Sequence, residues 1–471
     1  MSTDAYRATL GELFRRRRFG IRPGLDVISA LLEALEAPQR SFPAVHVTGS
    51  KGKGSVSAMT QAILSAHGLR TGLFISPHLV SYRERIQVDG RQISPAEVVR
   101  GLDRILGAER TLRRGGRIER DATFFECTTA LALDHFARAH VDAAVIEVGI
   151  GGRWDATNIL ASRVGVISTL ELEHTEILGP TIPAIAREKS GIFHAGMTGV
   201  LGDLPAEGRA VIEASASEKV VALWHLGREV RVENRELRPE GQTFDVHLPA
   251  VTLAGVRIPL LGRFQPANAA LAIAAAARFL ESSSTRMDGA SVRKGLRGLH
   301  WRGRMERIAR RPDVYLDVAH TPESVRAVTQ SLAEIDPAMD AVDNAIVFGC
   351  LLGKDAGTML STLSDLARTL VLVPVGSERG IDPAALKIFA AGRFPIVVVA
   401  PSAPEGLRLA RAAASREGVV LVTGSDYLVG DLLRSLEGDA SEEPDLSDPG
   451  RGPPPALGNS ASPPLANGRT R

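Results

Sequence analysis

Cysteine is nearly absent. The 471 residues carry two, Cys127 and Cys350, far apart and set among apolar neighbours. That argues against a disulfide framework, and no cysteine spacing of the metal-binding type occurs, so reduced, buried thiols of a cytosolic protein are expected. Also missing are an apolar signal core at the N-terminus and any stretch of roughly 18 uninterrupted apolar residues. Neither export nor membrane insertion is therefore expected, and the chain reads as cytoplasmic. A surplus of charge is missing too: 56 basic against 54 acidic residues leave a net +2, which gives no support for wholesale nucleic-acid binding. Arg15 to Arg18 form the one basic cluster, which reads as a solvated helix face. No solenoid-type repeat is visible.

The length exceeds what one hydrophobic core usually serves, so two domains are expected. Short β-branched runs recur at Val45 to Val47, Leu73 to Ile75, Ala143 to Val148, Val164 to Ile167 and Val220 to Leu223, most of them followed by helical periodicity. This alternation predicts an α/β fold with a parallel sheet covered on both faces. Short alternating segments between Arg228 and Leu261 suggest a small antiparallel patch, and the alanine-rich stretch Ala267 to Leu280 a closing helix. A serine- and glycine-containing shift after Glu281 approaches a domain boundary. A second series follows, with strands at Val314 to Val318, Ala345 to Phe348, Leu370 to Val373, Ile396 to Val399 and Val419 to Val422, enough for a smaller doubly wound domain. The expected division is 1–297, 298–437, and a proline-rich tail at 438–471 with little to bury, expected to be disordered.

The most informative segment is Thr48 Gly49 Ser50 Lys51 Gly52 Lys53 Gly54 Ser55. It follows an apolar run and precedes a helical pattern from Val56 to Leu64, the strand, loop and helix context of a phosphate-binding loop. Glycines let backbone N–H groups curl around phosphate oxygens, the helix N-terminus adds partial positive charge, Lys53 can reach terminal phosphates and Ser55 can hold magnesium. The spacing differs from GxxxxGK[ST], so a glycine-rich surface turn is the bland alternative. Gly149 Ile150 Gly151 Gly152 fails the GxGxxG spacing and does not sit at the first βα turn, which argues against a dinucleotide cofactor.

Further polar segments stand where strands should end, the rim at which open α/β sheets bind ligands. Ser76 Pro77 His78 Leu79 follows one run, Glu147 to Asp155 another, Glu171 Leu172 Glu173 His174 a third, and Arg187 Glu188 Lys189 Ser190 closes a short helix. Ser76, Glu147 and His174 are candidate magnesium ligands, because a hydroxyl, a carboxylate and an imidazole around triphosphate oxygens suit a cation that uses few protein groups. Taken singly, Ser76 reads equally as a turn former, Glu147 as a paired buried acid and His174 as a helix cap.

In this order the motifs, with Arg18 Phe19 Gly20 Ile21 before them and Asp317 Val318 Ala319 His320 after, resemble the Mur ligase superfamily over about Phe19 to Leu436. Ser76 to Leu79 and Gly151 Gly152 Arg153 Trp154 Asp155 Ala156 Thr157 Asn158 resemble its folylpolyglutamate synthase and dihydrofolate synthase branch. The resemblance implies a P-loop-type ATPase domain like the Mur central domain, followed by a Rossmann-like domain. It implies an ATP- and Mg2+-dependent ligase that phosphorylates a dihydropteroate or reduced-folate carboxylate and lets the amine of L-glutamate displace phosphate. It assigns ATP contacts to Ser50, Lys51, Gly52, Lys53, Gly54, Ser55, Asn268, Arg304 and Asp317, with Lys53 and His174 catalytic and Lys189 a carbamylated lysine; a surface lysine is the plain alternative for Lys189. It assigns the pterin pocket to Ile21, Arg22, Thr123, Phe124, Phe125, Glu126, Trp154, Asp155 and Ala156, for which core packing is the alternative at Phe125.

Lys51 stands where the family usually has asparagine, Glu173 where it has aspartate, and Thr321 where asparagine follows the histidine. None removes a proposed metal ligand, yet all touch substrate preference. Two rivals remain: another amide-forming ligase of the superfamily, acting on a cell-wall precursor or a poly-amino acid, and a nucleotide-binding paralogue without chemistry. The expected partners are small molecules, without nucleic acid or membrane, and the expected state is a monomer.

Overall fold

The structure, a computed structural model, describes residues 3–16, 20, 22, 24–335 and 343–438. Ile21, residues 18 and 19 of the first motif and the tail from 439 onward lie outside the described residues.

The first sheet contains β1 (Ala44–Thr48), β2 (Thr71–Phe74), β3 (Ile86–Val88), β4 (Arg91–Gln92), β5 (Ala143–Glu147), β6 (Val164–Ile167), β7 (Thr198–Leu201) and β8 (Ala222–His225). Their order is β4-β3-β2-β5-β1-β6-β7-β8, parallel from β2 to β8, with β3 and β4 added antiparallel at one edge. Helices cover both faces, so alternate residues of one strand enter different cores. Val45 and Val47 pack with the helices Lys53–Ala66 and Gln265–Ser282, while Ala44 packs with Pro95–Arg114 and Phe124–Arg138. Three antiparallel strands, β9 (Arg231–Arg238), β10 (Gly241–Leu248) and β11 (Val251–Ile258), form the expected patch and lend Phe244, Val246 and Val256 to the former core.

The second sheet holds β12 (Glu306–Ala309), β13 (Asp313–Leu316), β14 (Ala345–Phe348), β15 (Thr369–Leu372), β16 (Ile396–Val399) and β17 (Val419–Thr423), in the order β12-β13-β17-β14-β15-β16. Ile346, Phe348 and Leu372 face one helical layer, and Val347, Val371 and Val373 the other, which is the doubly wound arrangement. The two units meet where the Leu79 backbone lies against Gly430, with Gly303 beside the Leu79 and Val429 side chains.

Four strands escape the sequence reading. β3 and β4 span three and two residues, β7 carries Gly199 in mid-strand, and β12 is half polar, with Glu306 and Arg307. The fifth run also shifts: β8 begins at Ala222, because Val220 occupies an exposed turn with φ of 56°. Cys127 and Cys350 are free and buried. Among the described residues no helix is long and apolar enough to cross a membrane.

Register sets the rim. Val47 pairs with Glu147, Phe74 with Ile146 and Thr48 with Ile167, so the carboxyl ends of β2, β5, β1 and β6 lie side by side. Gly72 of β2 is kept bare by the Phe136 ring, which stands 2.9 Å from where a Cβ would be. Phe136 is fully buried, so Phe136→Ala should cost roughly 3–5 kcal/mol of stability. In urea unfolding this should appear as a lower midpoint with little change in slope.

Candidate active site

The glycine-rich segment leaves β1 and enters the helix Lys53–Ala66, with Gly52 at φ of 82° and Gly49 at 145°, both in the region that favours glycine. Space demands glycine as well. A Cβ on Gly49 would run into the Ser168 hydroxyl, and one on Gly52 would stand 2.6 Å from Asn268 Oδ1. The end of β6 holds the loop from below: Ser50 N donates to Thr169 O at 2.9 Å, Lys51 N to Thr169 Oγ1 at 2.8 Å, and Ser168 Oγ to Lys51 O at 2.5 Å. Lys53 bends back and donates through Nζ to Gly49 O at 3.0 Å.

Around this loop lie the buried charges. Glu147, only 4 % exposed, accepts from the Ser76 amide at 2.9 Å. Burial raises its carboxyl above the usual range against the pull of Lys53, the Ser76 amide, Arg304 and Arg85. Lys189, 1 % exposed at the end of the helix Ile182–Lys189, donates to Glu173 Oε1 at 2.9 Å. Burial outweighs Glu173 and, helped by Lys53, brings the Lys189 amine down to about 8. Glu173 moves the opposite way: burial resists its ionisation, yet Lys53, Lys189 and Lys51 hold its carboxyl below the usual range.

The second unit brings the carboxyl end of β13 to the same region. Buried Asp317 accepts from Met305 N and Ala319 N, each at 2.8 Å, and burial lifts it to about 6 despite Arg304. Burial, with Lys51 and Lys354, pushes His320 down to about 3, so the ring is neutral. Its Nδ1–H donates to Val318 O at 2.9 Å, which leaves Nε2 as the basic nitrogen.

The Mur ligase middle domain matches residues 47–276 and the Mur ligase glutamate ligase domain residues 303–426. The dihydrofolate synthase/folylpolyglutamate synthase of Mycobacterium tuberculosis is 34% identical over 439 residues, covering 91% of this chain and 85% of that protein. The chain belongs to the Mur ligases, in the folylpolyglutamate synthase/dihydrofolate synthase branch. Crystal structures of Mycobacterium tuberculosis folylpolyglutamate synthase with ADP and AMPPCP superpose with a TM-score of 0.84 at 32% identity, over 93% of this chain and 99% of that one. An FPGS–AMPPCP–folate complex superposes at 0.79 and 30%, over 92% and 100%.

Within this ligase the residues expected at the pterin pocket divide. Thr123 and Glu126 form a capping box at the helix Phe124–Arg138, and Glu126 is further paired with Arg120 at 2.7 Å. Phe124 and Ala156 are buried in the core. Phe125 stays half-buried, with its ring edge against Gly149, and Trp154 is 49% exposed beneath the Arg153 guanidinium at 5.2 Å. Asp155 accepts from Ile150 N at 3.0 Å and from Thr157 Oγ1 at 2.5 Å, and so fixes the loop between them, while Arg22 is exposed.

Of the proposed magnesium ligands, Ser76 and Glu147 meet, although through the Ser76 amide and not its hydroxyl. His174 has a left-handed backbone and its ring lies 4.0 Å from Glu173 and 3.9 Å from Glu176. Among the described residues no three His, Cys, Asp or Glu side chains stand close enough to hold a metal alone. That donor set fits magnesium, which keeps water and phosphate oxygens in its shell, and does not fit a metal needing a closed protein cage.

Sequence reasoning did not find the Glu173–Lys189 pair, the Ser168 and Thr169 clamp, or Trp301. The ring of Trp301 lies 3.2 Å from a Cβ built on Gly54, and its indole N–H is buried without a partner. The clamp had a signal, two hydroxyls directly after Val164 to Ile167; the other two join residues far apart in the chain.

Glu173→Gln leaves the Lys189 ammonium without its carboxylate, so its pKa should fall below about 8. Folding then disfavours the charged amine more than before. The variant should be destabilised at pH 7, and the deficit should shrink as pH rises through about 8, where the unsubstituted protein also loses that proton. Urea unfolding at pH 7 and pH 9 checks both the size and the sign.

Proposed function

We infer that this chain is an ATP-dependent ligase that joins L-glutamate to the carboxyl group of a pterin or folate acceptor, dihydropteroate or a reduced folate. The observation that carries this reading is the clamped phosphate loop beside a buried carboxylate and a buried lysine–glutamate pair, with the acid and neutral imidazole of the second unit at the same cleft. The folylpolyglutamate and dihydrofolate synthases among its relatives and the folate-bound neighbour support the acceptor class.

The acceptor carboxylate attacks the γ-phosphorus of ATP, the bond to the β-phosphate oxygen breaks, and ADP leaves. The glutamate amine then attacks the acyl phosphate carbon, inorganic phosphate departs, and the amine loses a proton. Gly52, Gly54 and Ser55 present backbone donors to the phosphates, while Lys53 swings from the Gly49 carbonyl to the terminal phosphates and follows the charge as it moves. Ser76, Glu147 and His174 would hold magnesium, which neutralises phosphate charge. Asn268, poised over Gly52, and Arg304 and Asp317 are assigned to the nucleotide, with Ser50 and Lys51 completing the loop.

Lys189 is assigned as the lysine that takes up CO2. Near neutral pH a share of its amine is uncharged and nucleophilic, since its pKa stands at about 8. Addition forms an N–C bond and releases a proton, giving an anion beside Lys53 and Lys51. Phe125, Trp154 and Asp155 are the remaining pterin candidates, together with Arg22 and with Ile21, which lies outside the described residues. We assign residues 1–297 to ATP and folate and 298–437 to the glutamate-ligase unit, working as a cytoplasmic monomer.

Mass spectrometry of reactions with ATP, glutamate and either dihydropteroate or tetrahydrofolate should show a gain of one or more glutamyl units on at least one acceptor. UDP-linked cell-wall acceptors should remain unchanged, and their elongation instead would overturn the folate assignment. Lys53→Ala should lower kcat by about 100-fold or more, the scale of losing a preorganised charge contact in a transition state. Unchanged turnover would remove the loop from the mechanism.

A further inference from the structure

At the rim opposite the nucleotide loop, where β2 and β5 begin, a cavity of about 870 Å³ opens between two helices and the β3–β4 hairpin. That volume is within the range of small-molecule sites. The helix Pro95–Arg114 presents Glu97, Arg100 and Arg104 along one face, at spacings of three and four. The helix Phe124–Arg138 answers with Leu131, Asp134, His135 and Arg138, again one face. Arg70 enters from the start of β2, and Arg91 from the hairpin. Five arginines thus line a concavity that holds three carboxylates, those of Asp89, Glu97 and Asp134.

The carboxylates are already engaged. Buried Asp134 accepts from Arg104 and, at 2.9 Å, from Arg138. Asp89 accepts from Thr71 N at 2.8 Å and Ser65 Oγ at 3.1 Å. Glu97 closes the capping box with Ser94 and lies 3.9 Å from His135. Arg70, Arg91 and Arg100 have no ion pair among the described residues. Three guanidinium groups without an ion pair line one concavity, and a ligand with two or more anionic groups can accept charge-assisted hydrogen bonds from them.

We propose that this cavity is a second binding site, for a compact polyanion carrying two or more carboxylate or phosphate groups. Arg70, Arg91 and Arg100 grip the anionic groups, while Asp134 keeps Arg104 and Arg138 in place as the walls. Val88, Ile93 and Leu131 supply an apolar floor, which suits an organic skeleton. None of these residues belongs to the nucleotide loop or to its charged surroundings.

Calorimetric titration of the full chain, with ADP filling the nucleotide site, separates the two sources of such anions: citrate and tri-γ-glutamate probe carboxylates, pyrophosphate probes phosphates. At least one probe should bind saturably at one site per chain. In the double variant R70Q/R100Q that affinity should fall about tenfold or more, the scale of losing a charge-assisted contact. The melting temperature and the basal ATP-dependent turnover of the variant should match those of the unsubstituted protein. Absence of saturable binding for all three probes, or equal affinity in the double variant, would overturn the proposal.

Discussion

The contact on which the site depends is the close approach of the phosphate loop to the end of β6. Backbone at Ser50 and Lys51 is held by Thr169 and Ser168, and this is possible only because Gly49 offers no side chain toward Ser168. The loop therefore gains a fixed floor without using the N–H groups at the start of the helix Lys53–Ala66. Those donors remain available at the positive end of a helix that packs against Gln265–Ser282 and Gly289–Arg297. Strand register does the rest: because β1 lies between β5 and β6, the loop opens onto Glu147 from one neighbour and onto Ser168 from the other.

Charges of alternating sign surround that loop. Lys53 acts on both Glu147 and Glu173, Glu173 on Lys189, and Lys51 on Glu171 and Glu173. In a buried setting each of these ions would be costly alone, and each is tolerated because a counter-charge stands near. The balance is incomplete at Glu147, whose carboxyl burial drives upward in spite of three cations and an amide. On the proposed assignment, a polyphosphate with its cation would change that balance, because Lys53 would turn from the Gly49 carbonyl to phosphate and Glu147 would gain a cationic partner beside the amide of Ser76. Binding and charge redistribution are thus one event, which is how a static set of dipoles and ions becomes useful to a transferring phosphoryl group.

Much of this architecture was legible from residue pattern because buried parallel strands announce themselves as β-branched runs. Val164 to Ile167 and Ala345 to Phe348 are buried strands with the expected bounds, and so, at the half-exposed edge of the second sheet, is Ile396 to Val399. What was not legible had short length or mixed polarity: β3 and β4 are too brief for a period to show, and β12 carries Glu306 and Arg307. The loop was visible because its chemistry is local. The Glu173–Lys189 pair was not, since 16 residues and a helix separate its members, and a lysine near a helix end carries no mark of being buried. Thr123 and Glu126 teach the reverse lesson. The spacing of a hydroxyl three residues before a glutamate is itself a capping box, and the structure uses both side chains there, together with Arg120.

The second unit contributes polarity as well as coverage. Asp317 sits on two amides at the end of β13, and His320 three residues later is neutral with its proton fixed on Nδ1. A neutral Nε2 facing a cleft rich in lysine can only accept, so it favours a protonated amine or a hydroxyl over an anion. Lys51 and Lys354, which help keep that ring uncharged, favour the anion. Cations from both units and a neutral acceptor nitrogen thus stand close together at this ring. The contact of Leu79 with Gly430 and Gly303 ties this second unit to the segment that follows β2, directly after Ser76. Any movement of the second unit toward the nucleotide therefore bears on the backbone whose amide holds Glu147, and the two halves of the reaction share one mechanical link.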